Sequence, residues 1–87
     1  MTLNFPNRSR SYDATLRALR FWGHDRAMEV SFYVNEDALK RIQPGLRSDE
    51  AGILGAFDSH RDLIHMAAAK VYRRDRKGFY ELIPADF

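Results

Sequence analysis

One stretch constrains the fold more than any other. From Met28 to Val34 the pattern alternates without a break, with Met28, Val30, Phe32 and Val34 on one face and Glu29, Ser31 and Tyr33 on the other. A two-residue period belongs to an extended strand with one side against a core. Just upstream, Leu16 to Trp22 reads as a second strand. Leu19 and Phe21 share one of its faces with Arg17, and Leu16, Ala18, Arg20 and Trp22 share the other. Between the two, Gly23-His24-Asp25-Arg26 has the composition of a turn, with Gly23 free to take positive φ. The pair is expected to form a hairpin. Leu3 and Phe5 alternate as a further short strand, which Pro6 confines to an edge or an end. The polar, basic stretch from Asn7 to Ser11 reads as a loop.

After the hairpin the period changes. Asn35 is placed to cap a short helix from Glu36 to about Gln43, with acids at its start, Lys40 and Arg41 near its end, and Pro44-Gly45 as its stop. Ser48 is the expected N-cap of a long helix that runs to about Arg74. At 100° per residue, Ile53, Leu54, Phe57, Ile64, Ala68 and Val71 fall within an arc of about 100° and form its apolar stripe. A last strand, Phe79 to Ile83, ends at Pro84. The expected fold is α+β in the order β-β-β-α-α-β. It has an antiparallel sheet of about four strands with one long and one short helix packed on it. Leu19, Phe21, Val30, Phe32, Phe57, Ile64 and Val71 are expected in the core.

Composition narrows the function classes. Leu, Ile, Val and Phe make up about a quarter of 87 residues, enough to exclude wholesale disorder, and residues 1–87 hold one domain. Cysteine is absent, which removes disulfides, thiolate nucleophiles and cysteine-based zinc sites. No apolar run approaches the roughly 20 residues of a membrane span, and Met1 to Pro6 shows neither the basic start nor the apolar stretch of a secretory signal. A cytoplasmic address without membrane contact is therefore expected. The net charge of +2 does not advertise nucleic-acid binding.

Several residues together resemble the bacterial family known as domain of unknown function 1488. They are Leu3-Asn4-Phe5-Pro6, Tyr12-Asp13 followed by Ala18-Leu19-Arg20-Phe21, a helix carrying Phe57, Arg61 and Ile64, and the terminal Asp86-Phe87. The likeness covers essentially the whole chain. It implies a small bacterial α+β protein and no established activity, and it carries over no catalytic or binding residue.

Tests for chemistry return little. His60 and His65 are five apart, about 140° round a helix, and a third ligand is missing, so no metal or other cofactor is expected. Ser59 adjoins His60, but helix neighbours do not face each other, and none of the twelve acids stands out as a catalytic one. The phosphate-binding and dinucleotide fingerprints are absent. The chain is expected not to be an enzyme.

Three groups remain as candidate sites. Arg73, Arg74, Arg76 and Lys77 lie close to Tyr72, Phe79 and Tyr80, and arginines interleaved with aromatics suit phosphate contact with base stacking. The bland account is a solvated basic helix end, which the helix dipole favours anyway. Gly52, Ala56, Leu63 and Met66 lie opposite the apolar stripe and are the expected self-association face. Arg61 falls inside the stripe, where it either snorkels from the edge to water or forms a structural ion pair, with Asp86 as the preferred partner. The leading expectation is a non-enzymatic interaction or accessory domain, able to self-associate or to bind a protein partner. The alternative is a weak nucleic-acid-binding module.

Overall fold

In the computed structural model, which describes residues 3–6, 8–74 and 79–87, the alternating pattern produces the central hairpin. Strands β3 (Ala18–Asp25) and β4 (Met28–Asn35) pair antiparallel along their whole length, from Ala18↔Asn35 to Asp25↔Met28. Leu19, Phe21, Val30, Phe32 and Val34 are buried on one side. The turn lies at Arg26-Ala27, three residues beyond Gly23, and Arg26 takes φ 58°. Gly23 is instead inside β3. A Cβ there would stand 3.0 Å from the Phe5 ring and 3.1 Å from Leu3, so its smallness serves close approach by the N-terminal segment.

Two short strands line the outer edge of β3. β1 (Leu3–Asn4) pairs with His24 and Asp25, and β2 (Arg10–Asp13) with Ala18 to Phe21, both antiparallel. Strand β2 takes in Arg10 and Ser11 from the stretch read as loop. On the other side, β5 (Phe79–Leu82) pairs with β4 in parallel, which makes the sheet mixed although mostly antiparallel. The reason is the connection. Parallel neighbours need a crossover of a dozen or more residues, and three helices fill it here.

Helix α1 (Glu36–Ile42) is capped as expected, the Asn35 side chain accepting the Ala38 N–H at 2.8 Å. The long helix is two: α2 (Glu50–Ser59) and α3 (Arg61–Arg74), broken at His60. An unbroken helix of 25 residues would span roughly 37 Å, past the end of strands about 26 Å long. The break keeps both halves on the sheet. Its N-cap is Asp49 and not Ser48, with Asp49 Oδ1 accepting the Gly52 N–H at 2.7 Å. Ile53, Ala56 and Phe57 from α2 and Ile64, Ala67, Ala68 and Tyr72 from α3 join the inner sheet residues in a single buried cluster, where Leu54 and Val71 are only partly buried. Residues Pro84–Asp86 close the chain as a 3-10 turn. No described helix is long and apolar enough to cross a membrane.

Candidate functional site

Because strand residues alternate between faces, a sheet with all its helices on one side leaves the other side open. The register fixes what stands there. One row across the open face reads Ser11, Arg20, Tyr33, Glu81, and the next reads Trp22, Ser31, Phe79. His24 and Glu29 follow towards the hairpin turn, 3.9 Å apart. Arg20 is the centre of the group. Its guanidinium carbon lies 5.0 Å from the Trp22 ring and 5.8 Å from the Tyr33 ring, a double cation–π arrangement. One guanidinium nitrogen donates to Ser31 Oγ at 3.1 Å, and Nε is buried without a hydrogen-bond acceptor among the described residues. Tyr33 meets Phe79 edge-on at 5.2 Å, and Phe79 is itself 54% exposed.

The residues expected from sequence are dispersed. Arg73 and Arg74 are exposed on the last turn of α3, Arg74 reaching Asp86 at 3.3 Å, while Arg76 and Lys77 lie outside the described residues. Among the other arginines, Arg8, Arg10 and Arg61 converge around Asp58, and Arg17 lies apart. Arg10 binds Asp58 with two nitrogens, at 3.0 and 2.8 Å, and Arg17 binds Glu36 at 3.0 Å. The proposed helix face is not a face. Ala56 is 1% exposed in the core, and Gly52 faces the link from α1, where a Cβ would stand 2.8 Å from the Arg47 Cβ. Only Leu63 and Met66 of the four are exposed large apolar residues.

Arg61 is paired, but with Asp58 at 2.9 Å and not with Asp86. Its guanidinium also donates to the Arg8 carbonyl at 2.8 Å and lies over the Phe57 ring. Asp58 is only three residues away, across the helix break. Asp86 packs at the opposite end of α3, about 20 Å along the helix. The two hydrogen bonds from Arg10, with the positive charge of Arg10 and Arg61, hold the Asp58 carboxyl below the usual carboxylate range against a burial effect of opposite sign.

No group of three or more His, Cys, Asp or Glu residues stands close enough to hold a metal ion among the described residues. His60 Nε2 meets Gln43 Oε1 at 3.2 Å. His65 stacks on Phe5 at 4.0 Å with rings 4° from parallel, and it also touches Phe21 and Phe57. Burial, first, and then Arg61 and Arg8 push its pKa below 6.5, while Asp62 pulls the other way. The folded state thus takes up this proton less readily than the unfolded chain. Stability is expected to be full above pH 6.5 and to fall as the pH drops from there through the lowered folded value. Asp58 gives a second, separate loss that begins near its ordinary value of 3.8. Urea melts between pH 7.5 and 3 should show both steps, and His65→Phe should remove the upper one alone. An unchanged upper step in that variant would assign it elsewhere.

The family model of a protein of unknown function, DUF1488, matches residues 3–83. The chain belongs to that family. A crystal structure of a DUF1488 protein of unknown function from Shewanella loihica PV-4 superposes with a TM-score of 0.80 over 92% of this chain and 90% of that one, at 19% identity. At that identity the likeness to this DUF1488 relative concerns the fold alone. A search of curated proteins gives no match. The open-face cluster rests on the chain's own strand register. Its sequence signal was the outward aromatic set on adjacent strands (Trp22, Tyr33, Phe79), where a solvated face carries polar residues.

Proposed function

We propose that this chain is a non-enzymatic interaction domain of the cytoplasm that docks a protein partner on the open face of its sheet. The observation that carries the reading is Arg20 held between Trp22 and Tyr33, with Phe79 alongside. Arginine, tryptophan and tyrosine are the residues that concentrate binding energy in protein interfaces. A guanidinium fixed by two rings and Ser31 is already ordered, so little side-chain entropy is lost on docking. Against an enzymatic role, the described partners of Ser31, His60 and Asp58 are Arg20, Gln43 and Arg10 with Arg61, and none of these contacts is a nucleophile–base pair. Against nucleic acid, Arg20 already lies over the Trp22 and Tyr33 rings, and among the described residues of this surface Asp13, Glu29 and Glu81 outnumber it in charge.

Capture from native lysate, with and without nuclease, tests the reading. A protein, a second copy included, is expected on the wild type whether or not nuclease is added. It should be lost on Trp22→Ser and retained on Leu63→Ser, with circular dichroism confirming that both variants fold. Labelled oligonucleotides should not shift at low salt. Capture that depends on nucleic acid, or that ignores Trp22→Ser, would overturn the proposal. Cell fractionation checks the compartment.

A further inference from the structure

The order of side chains across the open face has a symmetry of its own. β4 is the middle lane of three, with β3 on one side and β5 on the other. In the first row Tyr33 on β4 is flanked by a cation on β3, Arg20, and an anion on β5, Glu81. In the second row Ser31 on β4 is flanked by two large aromatics, Trp22 on β3 and Phe79 on β5. Lanes are about 4.8 Å apart, so each flanking pair is centred on β4.

We propose that the partner of this face is a second copy of this chain, seated sheet to sheet about a two-fold axis that runs along β4. The inference rests on the reading of the open face as a docking surface, and it names the occupant. Such an axis carries the β3 lane of one copy over the β5 lane of the other. Arg20 then faces the partner's Glu81, and Trp22 faces the partner's Phe79. Tyr33 and Ser31, on the axis, meet their own counterparts. A two-fold interface is self-complementary, so each contact occurs twice. The face satisfies that condition with opposite charges in one row and ring against ring in the other. Facing sheets pack about 10 Å apart, a gap that side chains of this size fill from both sides.

The remaining charges lie towards the ends of the face. An axis along β4 keeps the two β4 lanes parallel and stacked along their length, about 10 Å apart. Glu29 stands opposite its own counterpart at the hairpin end of the axis, where it is exposed and lies 3.9 Å from His24. Asp13, on the outer lane of β2, lies at the other end. Three lanes overlap about that axis, and with strands of eight residues they give a face of roughly 14 by 26 Å, about 370 Å² per copy. About 750 Å² for the pair lies in the range of weak, transient contacts, which fits a reversible dimer and not an obligate one. The helix route has only Leu63 and Met66 to offer, exposed by 45% and 60%.

Sedimentation velocity of the full chain from 1 to 200 µM tests the arrangement. The wild type should pass from monomer to dimer within that range. Arg20→Glu and Glu81→Arg should each raise the dissociation constant at least tenfold, because each sets like charges against each other. Mixed together, the two variants should form a heterodimer within about threefold of the wild-type constant, since both contacts are then between opposite charges. Leu63→Glu should change nothing. If Arg20→Glu does not fold, Glu81→Arg and Phe79→Ser, both at exposed positions, carry the same test, and a dimer indifferent to both overturns the arrangement. A dimer whose charge variants do not complement each other also overturns the axis along β4, while leaving the docking face to its capture experiment. A monomer throughout overturns the second copy as partner. The docking face then stands or falls on whether Trp22→Ser abolishes capture.

Discussion

Phe21→Ala is expected to destabilise the protein by about 3–5 kcal/mol, the range for removing a fully packed aromatic. Phe21 is 2% exposed, and its ring meets Phe5 at 6.1 Å, Phe32 at 5.3 Å, Phe57 at 5.1 Å and His65 at 5.8 Å. Those four rings come from the N-terminal segment, β4, α2 and α3, so no single element can move to refill the space. A chain of 87 residues has a total stability of roughly 4–13 kcal/mol, and the loss is comparable with the lower half of that range. The effect should also reach the opposite face, because Arg20 and Trp22 flank Phe21 in β3 and are aimed by the same backbone. Urea unfolding followed by Trp22 fluorescence is the direct measurement. Phe21→Leu, which keeps most of the volume, should lose less than half as much. A Phe21→Ala midpoint within about 1 kcal/mol of wild type would mean that the aromatic cluster is not the centre of the core.

The parts of this fold that were legible from sequence are those written as periodicity. The alternation from Met28 to Val34 placed β4 and its buried face, except that Met28 at the hairpin turn is exposed, and the neighbouring Leu19 and Phe21 placed the partner strand. The helical stripe placed Ile53, Phe57, Ile64 and Ala68 in the core. What was not legible depends on contacts made by other elements. Strand β2 has only Tyr12 as an apolar inward residue, and it exists because β3 offers an unpaired edge and Asp58 receives Arg10. The helix break falls at Asp58-Ser59-His60, a run with no Gly or Pro, and it follows from the length of the sheet. The direction of β5 has no sequence signal, because the same alternation serves parallel and antiparallel pairing.

The candidate site shows the same division. That Arg20, Trp22 and Tyr33 face away from the core follows from their parity along the strands. That they share two rows with Phe79 and Glu81 requires the pairing register, which no local pattern contains. The residues opposite the helical stripe do not form a second interface for a related reason. At Gly52 and Ala56 the close neighbour that a small residue admits is this chain itself.

Gly52→Ala and Gly55→Ala are expected to move stability in opposite directions, although both replace a glycine in the same helix. Alanine in a helix interior is favoured over glycine by roughly 0.5–1 kcal/mol, through the entropy of the unfolded chain. At Gly55 nothing lies within 4 Å of an added Cβ, so that gain should appear in full. At Gly52 the added carbon would lie 2.8 Å from the Arg47 Cβ and 2.9 Å from its backbone carbonyl carbon, with the carbonyl oxygen nearer still. Backbone cannot rotate away as a side-chain tip can. The link from α1 would have to shift as a unit, and it is tied at both ends. Leu46, 9% exposed, anchors it in the core, while Asp49 caps Gly52 and pairs with Arg47. Overpacking of this kind costs about 1–3 kcal/mol, which outweighs the helix-propensity gain and leaves Gly52→Ala destabilised. Thermal and urea melts of the two single variants decide it. If both alanines stabilise, the α1–α2 link yields freely, and the inward packing of Gly52 is not what keeps that position small.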